Sequence, residues 1–325
     1  MNVTYRWWHG SARSSAAFST AGWVAGVAIF AVLLVHFADA WRDASMSLAR
    51  VRAFPVIGAF ALLVVAYTAQ ALGWHVLSHA AQTDTSLRID VARWCLSLLG
   101  KYLPGKIWQA AGRFYLYRDA RASSAAVASA FVLESLAGIA AAGAIAATFL
   151  CWADTRVPMS VVAGLAGASL LAIAVTISPA VTVLMTRLAR RVIRRDLDLA
   201  VPIGTRVQAL TLNLAASLTL GVGCYVLAQG FTSVPASLIP VFVGSLCAAG
   251  LAGMAAVIVP AGLGVRDGVL VWLLASYVPF DSAIVIAVAA RLWITGGELC
   301  LIAAGRLLAT ARRHDARGVN IRRRT

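Results

Sequence analysis

KYLPGKIWQAAGRFYLYRDAR, residues 101–121, sets a broken helix between long apolar runs. It holds Lys101 and Lys106, the only two lysines among 28 basic residues, on either side of a Leu-Pro-Gly sequence. Proline inside a helix removes a backbone hydrogen bond and collides with the preceding turn, so the helix stops or kinks there. At membrane depth the backbone groups freed by such a break need protein or water as partners, and the break usually lines a cavity. The run before it, VARWCLSLLG (91–100), is too short to cross hydrocarbon alone. The stretch therefore predicts a helix that enters the membrane, breaks at Pro104 and Gly105, and leaves as an amphipathic segment with Arg113, Arg118 and Arg121.

The membrane setting follows from composition. Of 325 residues, 61% are hydrophobic and 13% charged, with a mean hydropathy of +0.82. Soluble domains carry about 25% charged residues. The longest polar interval is about 30 residues, too short for a core of its own, so residues 1–325 read as one integral membrane domain. The net charge of +15 does not point to nucleic acid. The arginines sit in short loops and tails between spans, where positive-inside topology and anionic headgroups account for them. The five cysteines are dispersed without a C-x-x-C pair and read as small apolar residues, with neither a disulfide framework nor a metal site indicated.

The expected fold is an all-α polytopic membrane protein of about eight membrane-embedded helical segments, including two Pro/Gly-broken or re-entrant elements. An uncleaved first span is expected at Ala21 to Ala38, although Ala38-Asp39-Ala40 resembles a small-x-small cleavage site. Further spans are expected at about 54–73, 124–150, 157–177, 207–227, 238–259 and 283–308. A basic loop at 187–206 and a basic tail at 309–325 are expected on the cytoplasmic side, with both termini, by the arginine bias. An even number of crossings must then separate loop from tail, and a short run at 269–278 supplies the fourth.

The order of the opening motif returns in VPAGLGVRDG, residues 259–268, with Pro260, Gly262, Gly264 and Arg266. Each break is followed by a long span with a buried charge: Glu134 after the first, Arg291 and Glu298 after the second. Interrupted hydrophobic segments at matching places in two halves are a sequence pointer to a transport site. The halves would be 19–180 and 207–308, related by an internal two-fold repeat.

Glu134 and Glu298 are the only glutamates, and both fall inside expected spans. A charge at the centre of a spanning helix costs about 2.5–3.5 kcal/mol on insertion scales, so each should face a cavity or a partner. Pairing with arginines is expected, either as fixed interhelical ion pairs or as pairs that exchange when a headgroup passes. Arg291 precedes Glu298 by two helical turns, so the two share a face. Arg113 and Arg266 follow their breaks, where a guanidinium can hold a phosphate bidentately. Lys106 would act as a point charge beside it, while Lys101 is expected to snorkel to the interface. Gln109 and Trp108 are candidates for hydroxyl contacts, and Asp267 for a local partner of Arg266. His36 and His75 read as interfacial residues. No G-x-S-x-G elbow, H-E-x-x-H, Walker loop or G-x-G-x-x-G before a helix is present.

LGKYLPGKIWQAAGR, a span containing Glu134, VPAGLGVRDG and a last span with RLWITGGEL together resemble the flippase-like integral membrane family, also named for the transmembrane region of lysylphosphatidylglycerol synthase. The resemblance extends over nearly the whole chain. It implies a helical bundle with broken helices and translocation of lipid between leaflets. On the matching positions it implies breaks at Pro104, Gly105, Gly262 and Gly264, headgroup contacts at Arg113 and Arg266, and charges at Glu134, Arg291 and Glu298. The soluble aminoacyl-transfer domain of the full multiple peptide resistance factor has no counterpart in this sequence, so lysyl-lipid synthesis is not implied.

Three readings follow. The first is a flippase or scramblase for an anionic or polyprenyl-linked envelope lipid in a bacterial inner membrane, with membrane lipids as partners, and envelope-lipid or glycan enzymes beside it. The second is a membrane-embedded enzyme or accessory subunit in envelope lipid or glycan synthesis. The third is a secondary transporter of a small anion. No cofactor is called for by any motif.

Overall fold

Runs with no polar face leave the backbone only itself to bond with, and in hydrocarbon that favours helix. The computed structural model describes residues 51–81, 83, 85–103, 107–118, 124–152, 157–178, 183, 201–256, 259 and 262–322, with side chains as far as Ala309 except at Ile107 and Trp152. Its elements are α1 (Ala53–Ala80), α2 (Leu87–Ser97) continued by a 3-10 turn (Leu98–Tyr102), α3 (Ile107–Tyr117), α4 (Ser124–Trp152), α5 (Met159–Ile177), α6 (Ile203–Gln229), a 3-10 turn (Ala236–Leu238), α7 (Ile239–Ala255), α8 (Val265–Leu274) and α9 (Phe280–Arg322). No strand occurs among the described residues.

Six of these helices are long and apolar enough to cross a membrane: α1, α4, α5, α6, α7 with its preceding 3-10 turn, and α9 as far as Ala309. The chain is thus an all-helical integral membrane protein. Helices α2 and α3 have 11 residues each and α8 has 10. At about 1.5 Å per residue they reach roughly 15–17 Å, half the hydrocarbon thickness. The run at 269–278 therefore does not make a crossing by itself, and the count of four crossings between loop and tail loses its support.

Helix boundaries differ from the expected spans in ways that matter for the site. Helix α1 runs on to Ala80, past the expected end at Gly73, and carries His75 and Ser78 with it. Arg206, read as part of the basic loop, lies in the first turn of α6, where its Nε donates to the Val201 carbonyl at 2.6 Å. Helix α7 stops at Ala255, before the second glycine-rich break. Helix α9 continues through the basic tail to Arg322. The first span, the loop arginines 187–195, and Pro104, Gly105, Lys106 and Pro260 lie outside the described residues.

Small residues set the helix crossings. A Cβ on Gly221 of α6 would lie 2.6 Å from Val243 Cα on α7, one on Gly244 of α7 would lie 2.9 Å from Phe149 Cβ on α4, and one on Gly297 of α9 would lie 2.4 Å from Leu63 on α1. Between apolar helices in lipid, such close backbone approach supplies the packing that the hydrophobic effect does not. Helix α1 packs chiefly on α6, α4 on α5 and α7, α8 on α7 and α9, and α9 on α2. Large side chains such as Phe54 and Ile57 on α1 and Leu170 on α5 stay exposed, as lipid-facing residues do.

Candidate functional site

The opening motif folds as two short helices pressed together. After Ser97, α2 tightens into the 3-10 turn Leu98–Tyr102, and the start of α3 returns so closely that a Cβ on Gly100 would meet the Gln109 backbone nitrogen at 2.4 Å. Only glycine fits at that contact. Bulk on Gly100 would push α3 away, and the turn that carries Lys101 and Tyr102 would lose its support.

That turn delivers Lys101 and Tyr102 to Glu298 on α9. Lys101 Nζ lies 2.5 Å from Glu298 Oε1, and the Tyr102 hydroxyl donates to Oε2 at 2.7 Å. The Tyr67 hydroxyl from α1 also donates to Oε1. Glu298 is 2% exposed, whereas Lys101 retains 33% exposure. Three donors compensate a carboxylate that would otherwise be prohibitive to bury.

The second glutamate is held differently. Arg113 on α3 places Nη1 2.8 Å from Glu134 Oε2 in an ion-pair contact, and Nη2 donates to Oε1 at 3.2 Å. Trp94 Nε1 on α2 donates to the same Oε1 at 2.8 Å. The Arg113 guanidinium stacks 3.7 Å from the Trp74 ring and lies 5.6 Å from Phe131, and its Nε donates to Ser97 Oγ at 2.9 Å. A planar guanidinium suits that combination of stacking and forked donation, which an ammonium does not.

The two carboxylates belong to adjoining clusters. Tyr67, which holds Glu298, meets the Trp94 ring edge-on at 5.9 Å, and Trp94 holds Glu134. Arg266 packs its Cβ against Gly253 of α7, and Gly262, with φ +63°, brings its backbone onto the same glycine. The second break therefore depends on glycine at 262. A Cβ there would be strained by the dihedral and would lie 2.7 Å from Gly253 Cα.

A further acid, fully buried, completes this region. Asp90 of α2 is fully buried and accepts from the Tyr117 hydroxyl, from Thr85 at 2.5 Å and from Ser78 at 3.2 Å, with His75 Nδ1 2.6 Å away. Trp74 Nε1 donates to the Tyr117 hydroxyl at 2.8 Å while its ring carries Arg113. Asp90 thus reaches Arg113 through Tyr117 and Trp74.

The model of the lysylphosphatidylglycerol synthase TM region matches residues 23–296 of this sequence. The chain belongs to that family. Its match takes in both breaks, Arg113, Glu134, Arg266 and Arg291, and ends just before Glu298. No curated protein and no solved structure matches the chain.

Within this family member the expected site residues divide. Arg113 meets Glu134 directly. Arg291 and Glu298 are both buried, 7% and 2% exposed. Among the described residues the cation on Glu298 is Lys101, expected at the interface, and not an arginine. Asp267 does not pair with Arg266; its carboxylate accepts the Gly264 N–H at 3.0 Å and caps α8, while Gly264 sits at φ +80°. Gln109 backs onto Gly100, and Trp108 is 45% exposed. His75 is a partner of buried Asp90, not a plain interfacial residue. Tyr67, Trp94, Ser97, Tyr102 and Asp90 were not anticipated. The available signal was a tyrosine inside an apolar span, whose hydroxyl needs a partner when buried.

Proposed function

We propose that the protein moves an anionic or polyprenyl-linked envelope lipid between the leaflets of a bacterial inner membrane. Family membership supports involvement with membrane lipid or the cell envelope. The observation that carries the finer reading is the Lys101–Glu298 contact: a buried carboxylate held by an ammonium on a flexible stem and by two phenols. A phosphate has the same requirement for donors as that carboxylate. A headgroup reaching the 3-10 turn would take Lys101 and Tyr102, with Arg291 and Arg266 adding positive field. Glu298 would keep Tyr67 until the headgroup leaves. Arg113 and Glu134 hold the turn's neighbours in place during the exchange.

The reading takes the molecule as about eight membrane-embedded segments in two related halves. It is supported by a short broken element before a long glutamate-bearing helix in each half: α2 and α3 before α4, α8 before α9. Purified full chain in vesicles that carry a fluorescent phosphatidylglycerol in both leaflets supplies the test. Dithionite should reach the inner-leaflet probe faster than in empty vesicles, and faster than with the Glu298→Gln chain. Equal rates for vesicles with and without protein, across anionic phospholipid and polyprenyl-phosphate probes, would refute lipid movement.

A further inference from the structure

Beside the charged clusters, on the outer side of α2 and α3, an open groove runs toward the end of α9. It consists of two adjoining depressions of about 620 and 340 Å³ that share Leu96, Leu116 and Ala309. Leu99 extends the apolar floor, and Arg88, Arg93 and Arg306 stand along it. The apolar part of α9 ends at Ala309 and the basic tail follows, so this end of the groove sits where hydrocarbon gives way to headgroups.

Arg93 adds a second charge to the lining. Its Nη1 is buried and has no hydrogen-bond partner, while the guanidinium stacks 4.4 Å from the Tyr117 ring. Arg88 stands on the same lining of the smaller depression, so a phosphate entering it meets two guanidinium-bearing side chains. The Leu96, Leu99 and Leu116 surface matches a hydrocarbon chain.

We propose that this groove is a binding site for an anionic phospholipid, with the phosphate on Arg93 and Arg88 and one acyl chain along Leu96, Leu99 and Leu116. The site is separate from the Lys101–Glu298 contact and holds whether or not the protein moves lipid. The combination of an apolar floor with arginines along it selects an amphiphile over a free anion.

Gly112 gives a clean way to close the groove. It lines the larger depression, and a Cβ built there meets nothing within 4 Å, so a bulky residue enters open space without disturbing the core. The experiment uses the full chain in phosphatidylcholine nanodiscs doped with phosphatidylglycerol that bears a diazirine on one acyl chain, with adducts mapped by mass spectrometry. Adducts are expected on residues 96–99 and 112–116. Unlabelled phosphatidylglycerol should compete with them; phosphatidylcholine and inorganic phosphate should not. Arg93→Gln should weaken apparent affinity about tenfold, the effect of one charge-assisted hydrogen bond. Gly112→Trp should abolish the adducts at an unchanged unfolding temperature. Equal labelling by a phosphatidylcholine probe, competition by inorganic phosphate alone, or adducts that persist in both variants would overturn the proposal. Because the readout is adduct position, failure here is distinguishable from failure of lipid movement.

Discussion

Glu134, half-buried, and Glu298, buried, are both acids in long helices, yet they are held in opposite ways. Glu134 is gripped by a guanidinium that is itself stacked on Trp74 and fixed by Ser97, and all its partners come from α2 and α3, close by in sequence. Glu298 is reached by one partly exposed lysine and two tyrosines, whose positions are 196 to 231 residues away. The first arrangement is a brace and the second is a meeting point of distant segments. Rigid, planar, stacked donors resist exchange; a flexible ammonium on a tight turn permits it.

The sharpest way to break that distinction is to remove each cation. Arg113→Met leaves the half-buried Glu134 without its counter-charge, and a loss of about 3 kcal/mol is expected, read as a lower unfolding temperature in detergent. Lys101→Met should cost about half as much, because Tyr67 and Tyr102 still donate to Glu298. Equal losses would erase the difference between brace and meeting point.

Next in size is Asp90→Ala. It strips the acceptor from Tyr117, Ser78 and Thr85, so about 2–3 kcal/mol should be lost on the brace side. Lipid movement should fall with it only as far as folded protein is lost. Trp94→Phe keeps a ring against Tyr67 but removes the donor to Glu134, with an expected cost of about 1.5 kcal/mol in the same unfolding measurement. Tyr67→Phe is the smallest, about 1 kcal/mol, since Lys101 and Tyr102 remain on Glu298. If Tyr67→Phe proves more damaging than Trp94→Phe, the Glu298 side is the rigid one.

The helical frame was legible in the sequence because hydrocarbon leaves little choice. Apolar runs became α1, α4, α5, α6, α7 and α9, and the membrane cost of a charge pointed to partners for both glutamates, with Glu298 buried and Glu134 half-buried. The partners were legible only where they lie close along the chain, as with Arg113 and Glu134. Lys101 and Glu298 meet because α9 crosses α2, where Gly305 lies against Ala92 and Cys95, and spacing along the chain carries no trace of that crossing. Asp90 was lost for another reason. It opens a short amphipathic helix that reads as the end of a polar linker, and α1 extends far enough past Gly73 to bring His75 and Ser78 to it. Asp267 shows the converse, a charge beside an arginine that serves the helix cap.

The charge exchange itself is tested most directly by swapping its partners. Lys101→Glu and Glu298→Lys each place like charges together and should both unfold more easily and abolish the transbilayer movement of a phosphatidylglycerol probe in vesicles. The double swap should recover stability, with a coupling of about 0.5–3 kcal/mol, but not lipid movement, because the turn then presents a carboxylate to the headgroup. A double swap that moves lipid at the rate of the unaltered chain would contradict the role assigned to Lys101 and Glu298.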